Sequence, residues 1–282
     1  MRLRSLFAPA LVALFALGSS GCERAIFAAA NRGVRPPEAT VVFSQATGLS
    51  LDVYRPHDAD GRAPVVVFFY GGGWTRGERA QYRFVGRRLA EGGVLTIVAD
   101  YRTWPRAGFP AFVDDAAQAV AWANQHASQY GGDPSRVFVA GHSAGAQIAA
   151  LVGADARYLA PYGLKPHDLA GVIGLSGPYD FVVGTKYAAI FGAPSQWPAA
   201  QAVNAVDGDE PPFLLVHATG DRVVDPADSQ EMADRLRKAG VRADLLMVPG
   251  GGHTTPLQGL YSPHRVPAVL PAILRFVAAP NG

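Results

Sequence analysis

From residue 40 onward the apolar positions fall into runs of two kinds. Short runs rich in Val, Ile, Leu and Phe have the length and composition of buried strands: "PVVVFFY" (64–70), "VLTIVADY" (94–101), "RVFVA" (136–140), "GVIGLSG" (171–177), "PFLLVHATG" (212–220) and "ADLLMVPG" (243–250). Between and after them lie longer stretches with helical periodicity, several stopped by glycine: 78–93, 114–133, 144–154, 228–240 and 266–278. Two alternating segments, "TVVFS" (40–44) and "LDVYRP" (51–56), open the series as an antiparallel pair. Strand and helix then alternate, which predicts an α/β fold: a mainly parallel sheet with helices on both faces. In such sheets ligands bind beyond the carboxyl ends of the strands. The residues to inspect are therefore those just after each run.

Composition fits this picture. The 282 residues are 49% hydrophobic and 17% charged, enough apolar material for one large core. The net charge is +2 and no basic block stands out, so no nucleic-acid partner is expected. A single cysteine, Cys22, rules out an intrachain disulfide. It ends a leader with Arg2 and Arg4 at its start and an apolar stretch from Leu6 to Leu17, too short for a comfortable span. Residues 1–22 read as a signal peptide, and "SSGC" resembles a bacterial lipobox, with Ser19 where leucine is usual. The expectation is an exported chain, periplasmic or membrane-anchored, touching the membrane through a lipid on Cys22. Residues 23–39 are expected to be a tether and 40–282 the folded α/β domain.

The strand ends carry the chemistry. "GHSAG" (141–145) sits between a strand run and a helix run, where Ser143 would be thrust forward on a sharp turn flanked by Gly141 and Gly145. A serine nucleophile needs a base, and His253 lies in the glycine-rich loop after the last strand run. The base needs an orienting acid. Asp221, in "HATGDRVVDP", is favoured over Asp225, whose alternative is to cap the helix near Pro226. "YGGGW" (70–74) follows the first buried strand, and the backbone N–H groups of Gly72, Gly73 and Ala144 are the candidate oxyanion donors. His142 is read as support beneath the turn, His217 as a structural hydrogen-bonder, Asp114 and Asp115 as a helix start, and Asp180 as a loop tie. No spacing of His, Cys or carboxylates suggests a metal, and no glycine pattern suggests a nucleotide, so no cofactor is expected.

Together "YGGGW", "ADYR", "GFPAFVDDAAQAVAW", "GHSAG", "HATGDRVV" and "GGGH" resemble the bacterial carboxylesterase and lipase branch of the α/β-hydrolases. The likeness covers about residues 40–280 and is close to the hormone-sensitive-lipase-like group and to small esterases that include kynurenine formamidase and isoprenylcysteine methylesterase. It departs from the first group at Tyr70, where those members carry a histidine; Trp74 matches the second. The resemblance implies an α/β-hydrolase fold and hydrolysis of carboxylic esters through an acyl-enzyme, without a cofactor; a lid segment too short for a large cap points to short or medium acyl groups. The partner would be a small-molecule ester. Residues 180–211 are the lid candidate, and Phe181, Tyr187, Ile190, Phe191 and Trp197 would supply an apolar pocket. A formamidase-type amide hydrolase uses the same residues and stays open as an alternative. A non-catalytic binding protein of this fold is disfavoured by the presence of all three candidate residues.

Overall fold

The computed structural model describes residues 25–57 and 62–279. The leader and Cys22 lie outside the described residues. One eight-stranded sheet organises the chain, in the order β1-β2-β4-β3-β5-β6-β7-β8. Strands β1 (Ala39–Ser44) and β2 (Leu49–Tyr54) pair antiparallel, as the opening pattern predicts. Strand β2 also runs antiparallel to β4 (Leu95–Ala99). From there β3 (Ala63–Phe69), β5 (Gly132–His142), β6 (Gly171–Leu175), β7 (Phe213–Ala218) and β8 (Ala243–Val248) are all parallel. This is the α/β-hydrolase architecture.

The helices are α1 (Arg83–Glu91), α2 (Ala111–His126), α3 (Ala144–Ala154), α4 (Thr185–Phe191), α5 (Pro226–Lys238), α6 (Thr255–Tyr261) and α7 (Val269–Ala278), besides shorter turns. Helices α2 and α3 pack together in one layer, and α1, α6 and α7 form the other. With both faces covered, Val65 to Phe69 of β3 are at most 1% exposed, which explains why that run shows no polar alternation. Helix α3 is buried at every residue, so its sequence is apolar all round rather than striped.

Four expectations need correcting. Residues 25–38 are not a free tether. A short helix over 25–30 buries Phe27 against Tyr82 and Phe84, with ring centroids 4.9 and 6.4 Å apart. The Asn31 side chain then donates to the Gln81 carbonyl at 2.8 Å and accepts from the Phe84 N–H at 3.0 Å. Next, the chain after "GGGH" makes a separate helix, α6, with Pro256 in its first turn, where a missing N–H costs nothing. Third, α2 begins at Ala111, ahead of the acidic pair; Asp115 is buried and grips Arg102 in a two-pronged ion pair. Finally, the 180–211 lid candidate packs as short helices and turns, and only three of its five pocket candidates, Phe181, Tyr187 and Ile190, face the cavity. Phe191 is fully buried beside Trp74, Phe109 and Phe112, and the Trp197 indole N–H bonds the Gly192 carbonyl, so neither lines the main cavity.

Candidate active site

The turn between β5 and α3 holds Ser143 at φ 54°, ψ −122°, a region that costs an L-residue about 1–3 kcal/mol. Surrounding contacts enforce it. The Ser143 N–H donates to the Leu175 carbonyl of β6 at 2.9 Å. Gly145 presses α3 against the end of β3, and a Cβ there would collide with the carbonyl oxygens of Phe69 and Tyr70. The tight crossing that the two glycines predict is thus a matter of backbone meeting backbone.

The loop from β8 to α6 brings His253 to this serine. Its Nε2 lies 2.8 Å from Ser143 Oγ, and its Nδ1 lies 2.8 Å from Asp221 Oδ2. With Asp221 ionised, Nδ1 carries the proton and Nε2 is left to accept the serine hydroxyl. The Asp221 side chain is fully shielded from solvent, and every approach to it is a donor. Oδ2 also receives the His217 Nε2–H at 3.1 Å, while Oδ1 takes the N–H groups of Val223 and Val224 at 2.8 and 3.2 Å. Burial alone would raise this carboxyl. The bonds from His217 and His253 outweigh it and hold the group well below the usual carboxylate range. Asp225 does something different: it caps α5 by accepting from the Ala227 N–H at 3.0 Å.

His217 is itself oriented by Ser229, whose hydroxyl sits 2.7 Å from His217 Nδ1. His142, read as support beneath the turn, does more than fill space. Its Nε2–H donates to the His253 carbonyl at 3.1 Å, leaving Nδ1 to accept the Tyr82 hydroxyl at 3.2 Å. The Tyr82 oxygen in turn accepts the Gly71 N–H at 3.0 Å. This chain ties the glycine loop, the serine turn and the histidine loop into one unit. Burial, with the adjacent His253, lowers His142 to about 3, so it stays neutral and keeps these donor and acceptor roles.

The glycine loop starts from a clasp. Tyr70 and Tyr101 stack at 4.5 Å, and each hydroxyl donates to the other's carbonyl, at 3.2 and 2.8 Å. Gly72 then adopts φ 140°, where a side chain would strike the Arg76 carbonyl. The N–H groups of Gly72, Gly73 and Ala144 find no acceptor among the described residues. The first two line a cavity of about 640 Å³ together with Ser143 and His253, and Ala144 opens α3, where the helix dipole is positive. The apolar wall is Trp74, Phe181, Tyr187 and Ile190. Trp74 stacks on Phe181 at 5.2 Å, and its indole N–H is fixed by the buried Gln147 at 3.1 Å. Such a site offers an activated hydroxyl, a base, and donors for developing negative charge.

A family model, BD-FAE, matches residues 51–236. The chain belongs to the BD-FAE family. Among curated relatives it is 32% identical to a probable isoprenylcysteine alpha-carbonyl methylesterase of Oryza sativa subsp. japonica, over 78% of this chain and 59% of that one. Esterase LipC of Mycobacterium tuberculosis is also 32% identical, over 76% and 58%. The chain thus spans under two thirds of these relatives' length. Esterase 2 of Thermogutta terrifontis superposes with a TM-score of 0.74 at 25% identity, covering 86% of this chain and 94% of that one. The form of that esterase phosphonylated by cyclosarin matches with a TM-score of 0.67 at 27% identity, over 78% and 85%.

The cavity wall also carries four ionisable side chains, Asp180, Lys186, Asp225 and Asp228, the last of them buried. Burial, then the charges of Asp180 and Asp225, push Asp228 up to about 7 from the ordinary 3.8. The folded state therefore holds this proton to higher pH than the unfolded chain does. Stability is full below the ordinary value and is lost as pH rises through about 7. Asp228→Asn keeps an acceptor for the Tyr179 N–H but no charge. Its Tm gain over wild type should be small at pH 4 and reach on the order of 3 °C by pH 8. Thermal scans at both pH values check this; an equal gain at both would refute the assignment.

Proposed function

We propose that the chain is a serine hydrolase of carboxylic esters with short to medium acyl groups, using Ser143, His253 and Asp221. The observation that carries the reading is the hydrogen-bonded series Ser143 Oγ, His253 Nε2, His253 Nδ1 and Asp221 Oδ2 at the floor of an open cavity. His253 Nε2 takes the hydroxyl proton as Oγ bonds to the ester carbonyl carbon. The carbonyl oxygen becomes an oxyanion facing the amides of Gly72, Gly73 and Ala144. Collapse breaks the ester C–O bond, and the proton on Nε2 passes to the departing alcohol. Water then attacks the acyl-enzyme, giving its proton to His253, and the acid leaves with Oγ reprotonated. No step requires a cofactor.

The preference for short acyl groups rests on the mixed lining of the cavity: Asp180, Lys186 and Asp225 share the wall with the apolar side chains, which leaves a long alkyl chain little continuous apolar surface. With p-nitrophenyl esters from acetate to palmitate, kcat/KM should peak at short or medium chains. A maximum at palmitate would overturn the preference, and no turnover of any ester by folded protein would overturn the reading itself.

We also infer from "SSGC" that the leader exports the chain and that Cys22 carries a lipid. Cells fed radioactive palmitate should label the wild type and not Cys22→Ala. Label retained in the variant would sink the idea.

A further inference from the structure

Beside the main cavity lies a second, smaller pocket of about 260 Å³. Its walls are Ile26, Phe27 and Ala30 from the N-terminal helix, Phe84 from α1, and Leu257 and Tyr261 from α6. The two pockets share Arg76, Val223, His253 and Thr254, so they adjoin at the histidine of the site. The N-terminal wall is held firmly, by Phe27 against Tyr82 and by both polar ends of the Asn31 side chain on the 81–84 segment. On the far wall, Phe84 meets Tyr261 edge to face at 5.6 Å.

Chemistry assigns the two pockets to different halves of a substrate. The alcohol oxygen must receive its proton from His253 Nε2 as the C–O bond breaks, so the alcohol half lies on the imidazole side of Ser143. The acyl half stays bonded to Oγ, in the cavity walled by Trp74 and Phe181. The pocket across His253 is lined mainly by aliphatic and aromatic side chains, and its volume falls below the usual range of about 300–1,000 Å³ for ligand sites. It suits a compact, uncharged group such as an aryl or branched alkyl alcohol.

We propose that this pocket is the alcohol-side subsite for neutral apolar alcohols, and that residues 26–30 are a specificity-determining wall of the active site. The inference rests on the ester-hydrolase reading, and the two can fail separately.

The test compares wild type, Ala30→Leu and Phe27→Ala on two substrate series, with Tm measured for each protein. One series varies the alcohol at constant acyl group, ethyl against benzyl butyrate. The other varies the acyl group at constant alcohol, ethyl acetate to ethyl hexanoate. Ala30→Leu, which fills the pocket, should lower kcat/KM for benzyl relative to ethyl butyrate by about tenfold. Phe27→Ala, which opens it, should move selectivity the other way when a larger alcohol, 1-naphthylmethyl butyrate, is compared with benzyl butyrate. The acyl series should shift by less than about twofold in both variants. An unchanged alcohol ratio in both folded variants would overturn the proposal while ester hydrolysis stood. So would a shift confined to the acyl series. Absence of ester turnover in folded wild type would instead overturn the hydrolase reading, and this inference with it.

Discussion

Ser143→Ala should lower kcat/KM for p-nitrophenyl butyrate by about 10⁴-fold or more and abolish labelling by a fluorophosphonate probe. The variant removes the one atom that bonds to the acyl carbon. Its partner His253 remains held by Asp221, and the free amides remain in place, so residual rate reflects binding and charge stabilisation alone. Stability should change by less than about 1 kcal/mol, because the loss is a single hydrogen bond at the floor of an open cavity and Ala inherits the same backbone geometry. The experiment also separates two serines. Ser176 follows β6 with φ 51°, much like Ser143, and is fully buried. Activity surviving in Ser143→Ala, with probe still bound, would move the nucleophile elsewhere and refute the proposed mechanism.

Why the serine turn was legible, and other parts were not, comes down to the range of the forces involved. Strand β3 and helix α3 announce themselves because both are buried on all sides, so the apolar run has no interruptions. "GHSAG" is read from local sterics: Gly145 must let α3 meet the carbonyls of Phe69 and Tyr70, and no other residue type fits. The choice between Asp221 and Asp225 could be stated only as a preference. Both follow the same strand, and only the loop's fold decides which carboxyl meets the imidazole and which caps α5. Tyr82 was beyond reach, since its role depends on partners 11 and 60 residues away, at Gly71 and His142. Ser229 looked like any polar residue of an amphipathic helix until His217 supplied its reason to be buried. The N-terminal segment misled for a related reason. Its Ala, Arg and Pro content reads as a linker, and the single aromatic that docks it, Phe27, finds its neighbours 55 and 57 residues further on.

Asp221→Asn should cost about 10⁴-fold in kcat, with KM little changed and a lower Tm. The carboxylate meets donors on every side: two imidazole N–H groups at Oδ2 and two backbone N–H groups at Oδ1. An amide has one acceptor and one donor, so its NH₂ must face donors whichever way it turns. If the NH₂ faces His253, the ring is pushed toward the tautomer that protonates Nε2, and the base is gone. If it faces Val223 and Val224, the turn that carries the residue comes apart. Either arrangement leaves buried donors unpaired, at about 1–3 kcal/mol. The wild-type carboxyl is held below its ordinary range, so its contribution to stability is complete above that range and is lost as pH falls through the lower folded value. The Tm difference between wild type and variant should therefore be widest near neutrality and shrink on strong acidification. Asp225→Ala is the control. It removes only the α5 cap, at about 1 kcal/mol, and should leave kcat within a few-fold of wild type. If Asp225→Ala instead produced the large loss in kcat and Asp221→Asn did not, Asp225 would be the orienting acid and the observed His253–Asp221 bond would not be the one that matters in turnover.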